Sequence, residues 1–205
     1  MIALDHLAVC AATLAEGAAA VEAVLGVPLE PGGVHPHMGT HNRLLSLGPG
    51  EYLEVIAVDP GAPAPGRHRW FDLDRFRGAP RLTNWVARCE NIKDEVALSP
   101  PGTGEVHDLA RGDLRWRMAI PADGRLPFGG AFPALIAWQG ALHPAARLTD
   151  RGCRLGRLTL VHPQAEALAA ALAGRIEDPR LVIAEGPAPA LRAAIDTPAG
   201  PRVLS

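Results

Sequence analysis

A helix with both ends written in the sequence, set among short strands, constrains this chain most. Thr13-Leu14-Ala15-Glu16 is a capping box, in which hydroxyl and carboxylate satisfy the orphan amides of a helix start. Leu14, Ala18, Val21 and Leu25 fall on one apolar stripe, and Gly26 supplies the left-handed residue that ends the helix. Before it, Ile2–Val9 reads as an alternating strand with His6 in the middle, at the parity of Leu4 and Ala8. After it, an extended piece, Val27–Glu30, and a Pro/Gly/His loop, Pro31–Gly39, lead to two strands. These are His41–Leu47 and Tyr52–Val58, joined at Gly48-Pro49-Gly50, where glycine gives positive φ and proline fixes φ. Residues 1–60 therefore form a β-α-β-β-β unit.

The pattern returns twice more. Asp59–Gly66 (DPGAPAPG) is a linker by composition. Residues 67–145 hold a strand at Leu82–Cys89, a short helix opened by Asn91, a hairpin of Glu105–Leu109 with Leu114–Ile120, and a last strand at Leu135–Gln139. Residues 151–205 hold a strand at Leu155–Val161, a helix entered at Pro163 and ended at Gly174, a hairpin of Leu181–Ala184 with Ala190–Ile195, and an edge segment Arg202–Leu204. With 22 glycines and 20 prolines bounding every piece, the expected class is α+β with a mainly antiparallel sheet. A dinucleotide-binding βαβ fold is disfavoured because no GxGxxG follows the first strand.

Several function classes drop out. A net charge of −2 with mixed signs lacks the basic footprint of a nucleic-acid binder. No apolar run reaches the roughly 18–20 residues of a membrane span, and MIALDHLAVC has no basic leader, so no membrane partner and no signal peptide are expected. Three widely spaced cysteines suit neither a disulfide framework nor a zinc site, and the expected location is the cytoplasm. Cys10 and Cys89 read as inert core thiols. There is no G-x-S-x-G elbow and no phosphate-binding Gly-rich loop with Lys-Ser/Thr, which removes a serine hydrolase and nucleoside triphosphate chemistry.

What chemistry remains centres on His6 and Glu54, each within an apolar strand. A carboxylate there is costly unless it is paired, protonated or bound to a metal. Imidazole plus carboxylate is half of an oxygen/nitrogen metal site; the blander readings are a hydrogen-bonded His–Glu pair or a Glu54 that faces solvent.

The LDH tripeptide, the capped helix, the LGVP exit and the stretch HPHMGTHNRLLSLG…YLEVIAVDP followed by Trp70-Phe71 resemble the vicinal oxygen chelate superfamily, and more narrowly the glyoxalase-like domain proteins of bacteria. The resemblance is specific over residues 1–75 and diffuse to about residue 145. It implies paired βαβββ modules curled into a half-barrel cleft, with an additional C-terminal βαββ-like segment. It also implies a divalent metal ion (Zn, Ni, Mn or Fe) held by a His on the first strand and a Glu or His on the last strand of each module. On that resemblance His6 and Glu54 are the first-module metal ligands, and Glu54 can double as the catalytic proton-shuttling base.

The second module departs from the pattern. LTNWVARC is read with Trp85 at the place of a second histidine, Leu135–Gln139 offers no carboxylate, and Arg157 stands at the third segment's equivalent position. His41 and His143 are the histidines left to complete a ligand set. Thr40-His41-Asn42-Arg43 opens a strand with polar residues, so His41, Asn42 and Arg43 are candidate substrate contacts, as are Trp85 and Trp138 as an indole wall and His143 at the cleft rim. His35 and His37 read as solvated loop residues.

Two functions stay open. One is a glyoxalase-like metal-dependent lyase, isomerase or dioxygenase acting on a small molecule; the other is a metal-free module that binds or sequesters a small apolar ligand. Either is expected to work as a monomer or a homodimer.

Overall fold

The computed structural model describes residues 1–205. Eight strands form one mixed sheet: β1 (Ala3–Cys10), β2 (Glu30–His35), β3 (Thr40–Ser46), β4 (Tyr52–Val58), β5 (Arg81–Arg88), β6 (Glu105–Arg111), β7 (Leu114–Ile120) and β8 (Ala134–Trp138). They run in the order β2-β3-β4-β1-β5-β8-β7-β6, so the two modules meet at β1 and β5 in the middle. The sheet curls into a half-barrel. Its outer face carries helix α1 (Leu14–Leu25) on the first module and α2 (Ile92–Ala97) on the second.

The local signals act as their chemistry requires. The Thr13 hydroxyl accepts from the Glu16 amide at 3.2 Å, and Gly26, at φ 72°, closes α1 by donating to Glu22 O. A Cβ on Gly17 would stand 2.6 Å from both Ala11 and Val55, so glycine there lets α1 lie close on β4. Asn91, by contrast, makes no side-chain cap; its amide binds Asp94 at 2.6 Å.

The pairing of β1 with β5 sets the site. They run antiparallel with His6 opposite Val86 and Ala8 opposite Asn84, and each strand carries one unpaired extra residue, Asp5 and Thr83. Exchanging the two strands about this pairing carries His6 onto Asn84 and Asp5 onto Thr83. Such bulges break strict alternation. Leu4 lies in the outer core with Leu7, whereas Ala8 lies in the inner core. His6 therefore does not share a face with Leu4.

A second sheet is built from β9 (Arg154–His162), β10 (Leu181–Glu185), β11 (Ala190–Thr197) and β12 (Gly200–Leu204), in the order β10-β9-β11-β12, with helix α3 (Ala165–Leu172). Leu158, Leu160, Leu191 and Ile195 share one core of 31 buried residues with Leu7, Leu53 and Trp85 from the first sheet. Arg180 ties the segment to the first module through Glu51 at 2.6 Å.

Two sequence readings change. β10 and β11 do not form a hairpin: both pair with β9, one parallel and one antiparallel, because a parallel partner can be reached through α3. The Pro/Gly/His loop contains strand β2, an edge strand, where the missing amide of Pro31 is tolerated.

Candidate functional site

The extra residue in β1 turns Asp5 inward beside His6, and Asp5 is fully buried. Its Oδ1 lies 2.7 Å from His6 Nδ1, and its Oδ2 accepts from Trp138 Nε1 at 3.0 Å and His143 Nε2 at 3.1 Å. The His143 Nδ1 accepts the Ala145 amide at 3.2 Å, which leaves Nε2 to carry the proton toward Asp5. Burial opposes ionisation of Asp5, but the hydrogen bonds from His143 and His6 outweigh it and hold the carboxyl well below the usual range. With Nδ1 donating to Asp5, the His6 Nε2 lone pair faces Glu54, 3.7 Å from Oε2. Tyr52 stacks on the His6 ring at 4.3 Å, and burial, with Asp5 and Glu54 nearby, keeps its phenol protonated far above neutrality.

Glu54 is held from its other side. Asn42 Nδ2 donates to Oε1 at 2.5 Å, while Asn42 Oδ1 accepts the Gly33 amide at 2.7 Å and an Arg111 N–H at 3.3 Å. A Cβ on Gly32 would fall 2.0 Å from Asn42 Oδ1, so the glycine pair makes room for this side chain. Arg111 Nη1 also meets His35 Nε2 at 3.0 Å, and His35 Nδ1 meets Thr40 Oγ1 at 3.0 Å. A guanidinium has only donors, so His35 Nε2 is the unprotonated nitrogen. Burial, then Arg111, pushes the His35 pKa down to about 3.

Around these groups is a narrow cavity of about 30 Å³, walled by Trp70, Phe71, Trp116, Met118, Ile136 and Trp138. Trp70 carries a buried indole N–H with no partner.

The structure thus brings His6, Glu54, Asn42, Trp138 and His143 together, with His143 bound to Asp5 rather than open at a rim. It places the other candidates elsewhere. His41 and Arg43 lie on the opposite face of β3 from Asn42; Arg43 is exposed. Trp85 is fully buried in the outer core, its N–H bound to Ala131 O at 2.9 Å. The second-module counterpart of His6 is Asn84, not Trp85, and Glu54, opposite Ala8, corresponds to Ala134, opposite Val86. Sequence reading missed Asp5, whose inward turn depends on the extra residue in β1. It also missed His35 and Arg111, which meet only when the β2 edge approaches β6; His35 is buried, not solvated.

The donors present do not fit the expected metal. A catalytic ion takes about three protein ligands, and no group of three His, Cys, Asp or Glu side chains is disposed to hold one. The Asp5–His6 pair would orient a ligating imidazole as well as a base. Yet Asn84 and Ala134 stand where the second pair of ligands belongs, and Asn42 engages Glu54 Oε1.

The half-barrel architecture is that of the vicinal oxygen chelate superfamily. The chain belongs to the glyoxalase-like domain family, whose model matches residues 4–176. It shares its fold with a hypothetical protein from Staphylococcus aureus, at 12% identity and a TM-score of 0.63 over 93% of this chain and 88% of that one. Methylmalonyl-CoA epimerase from Mycobacterium tuberculosis is similar at 20% identity and a TM-score of 0.42, over 70% of this chain and 91% of that one. The Streptomyces coelicolor epimerase, in complex with 2-nitronate-propionyl-CoA, is similar at 13% identity and a TM-score of 0.43, over 68% and 97%. No curated protein is significantly similar in sequence. No helix is long and apolar enough to cross a membrane.

Proposed function

We propose that the inner face of the half-barrel binds a small molecule with a planar or apolar body and a polar oxygen, and that His6 and Glu54 move a proton on it without a metal ion. The observation that carries this reading is the Asp5–His6–Glu54 line. Asp5 fixes the imidazole by Nδ1 at 2.7 Å, so that Nε2 and the Glu54 carboxyl, 3.7 Å apart, flank one point in the cavity. An oriented imidazole beside a second titratable group is the arrangement general acid–base catalysis needs. The tryptophans supply an apolar wall and the unpartnered Trp70 N–H a donor for a substrate oxygen; at about 30 Å³ the space takes one water-sized group, so the body of a ligand enters only by displacing wall side chains. Glu54 has a buried partner without a metal ion, since the Asn42 amide donates to it.

A sequestering protein of the same fold is the second reading, favoured by the tight, aromatic lining. The three unpaired cysteines suit a reducing compartment such as the cytoplasm in either case.

Metal analysis by plasma mass spectrometry, after reconstitution with Zn, Ni, Mn or Fe, should find no ion that His6→Ala removes. A near-stoichiometric ion lost in that variant sinks the metal-free reading. Solvent deuterium incorporation next to the carbonyl of small 2-oxo acids and esters separates the other two. Exchange abolished by His6→Ala supports proton transfer, whereas tryptophan quenching by the same compounds without exchange supports sequestration.

A further inference from the structure

A second, much larger cavity of about 840 Å³ lies where the half-barrel meets the C-terminal sheet, with walls from β5, the Phe71–Phe76 segment and β11. Its size is that of a small-molecule site. Its lining combines an apolar floor, in which Phe76, Leu126 and Leu191 are each nearly buried, with the guanidiniums of Arg75, Arg81, Arg125 and Arg192 against one acidic side chain, Asp72. Asp72 is already shared, by Arg75 at 2.5 Å and Arg125 at 3.7 Å. Arg81 binds the Arg77 carbonyl at 2.8 Å and lies 4.3 Å over the Phe76 ring, with no carboxylate partner. Arg192, whose side chain is on the exposed face of β11, has none either.

Unneutralised guanidiniums in a concave, partly apolar wall concentrate positive potential, and the guanidinium fork matches a carboxylate. We propose that this cavity is a binding site for an amphipathic carboxylate. The apolar body lies on Phe76, Leu126 and Leu191, and the carboxylate is taken by Arg81 and Arg192. The site does not depend on His6 or Glu54; Phe71 lines both cavities and is the wall between them.

Isothermal titration of the full chain with decanoate, decanol and acetate tests this. Decanoate should bind one per chain, with decanol and acetate each at least about tenfold weaker, because body and head are both used. Arg81→Gln/Arg192→Gln should weaken decanoate about tenfold or more, and Arg192→Gln alone, on an exposed strand position, several-fold. Amide NMR shifts on adding decanoate should cluster at Gly129, Gly130, Leu191 and Arg192. Absence of decanoate binding, equal binding of decanol, unchanged affinity in both variants, or shifts centred on Tyr52 and Glu54 would each overturn the proposal.

Discussion

The buried carboxylate of Asp5 accepts a 3.1 Å hydrogen bond from His143, a residue 138 positions later in the chain. Through it the segment that follows the last strand of the second module orients the histidine on the first strand of the first. The site is therefore a product of both modules although only one supplies His6 and Glu54.

Removing the carboxylate should be costly. Asp5→Ala leaves His6 Nδ1, Trp138 Nε1 and His143 Nε2 without their acceptor. With roughly 1–3 kcal/mol for each buried group left unpaired, partly offset by relaxation, we expect a loss of about 3 kcal/mol in urea unfolding. A loss below about 1 kcal/mol would mean that the three donors find other partners.

His35 makes stability fall in mild acid. Its folded-state pKa is down to about 3, because of burial and Arg111, against an ordinary value of 6.5. Between those values the unfolded chain binds the proton and the folded chain does not. Stability therefore drops as pH falls, with a slope of up to about 1.4 kcal/mol per pH unit from this group. Urea titrations from pH 6 to pH 4 should show the slope in wild type and a shallower one in His35→Gln. Equal slopes would remove His35 as the cause.

Gly32 should tolerate no side chain. Its Cβ would stand 2.0 Å from Asn42 Oδ1, displacing the amide that binds Glu54. Gly32→Ala is expected to cost about 2 kcal/mol, the range for a broken buried polar network. Gly61→Ala, whose Cβ meets only Asp59 Oδ1 at 3.4 Å, should change little. Similar melting curves for the two variants would contradict the assigned packing.

Trp85 should behave as a core residue. Trp85→Phe removes indole volume and the hydrogen bond to Ala131 O, so a loss of about 2 kcal/mol is expected. Ligand-dependent quenching, which reports on Trp70, Trp116 and Trp138, should survive. Loss of quenching in a folded Trp85→Phe protein would return Trp85 to the cleft.

Much of the first module was legible because its signals are local. The capping box, Gly26 and the Tyr52–Val58 strand each follow from neighbours within a few residues, and the structure keeps all three. His6 and Glu54 were legible for a related reason: polar side chains inside apolar strands need partners wherever the strands go. Their partners were not. Asn42 was separable from His41 and Arg43 by alternation, but which face turned inward depended on the neighbouring strand.

Composition and pattern alone determined an α+β chain of repeated strand-helix-strand units and the two polar residues at its centre. Tertiary structure decided the rest. An unpaired residue in β1 turned Asp5 inward beside His6. Approach of β2 to β6 brought His35 to Arg111, 76 positions away in the chain. The physical reason is that sequence periodicity records which side chains avoid water, whereas register and sheet closure decide which of them meet.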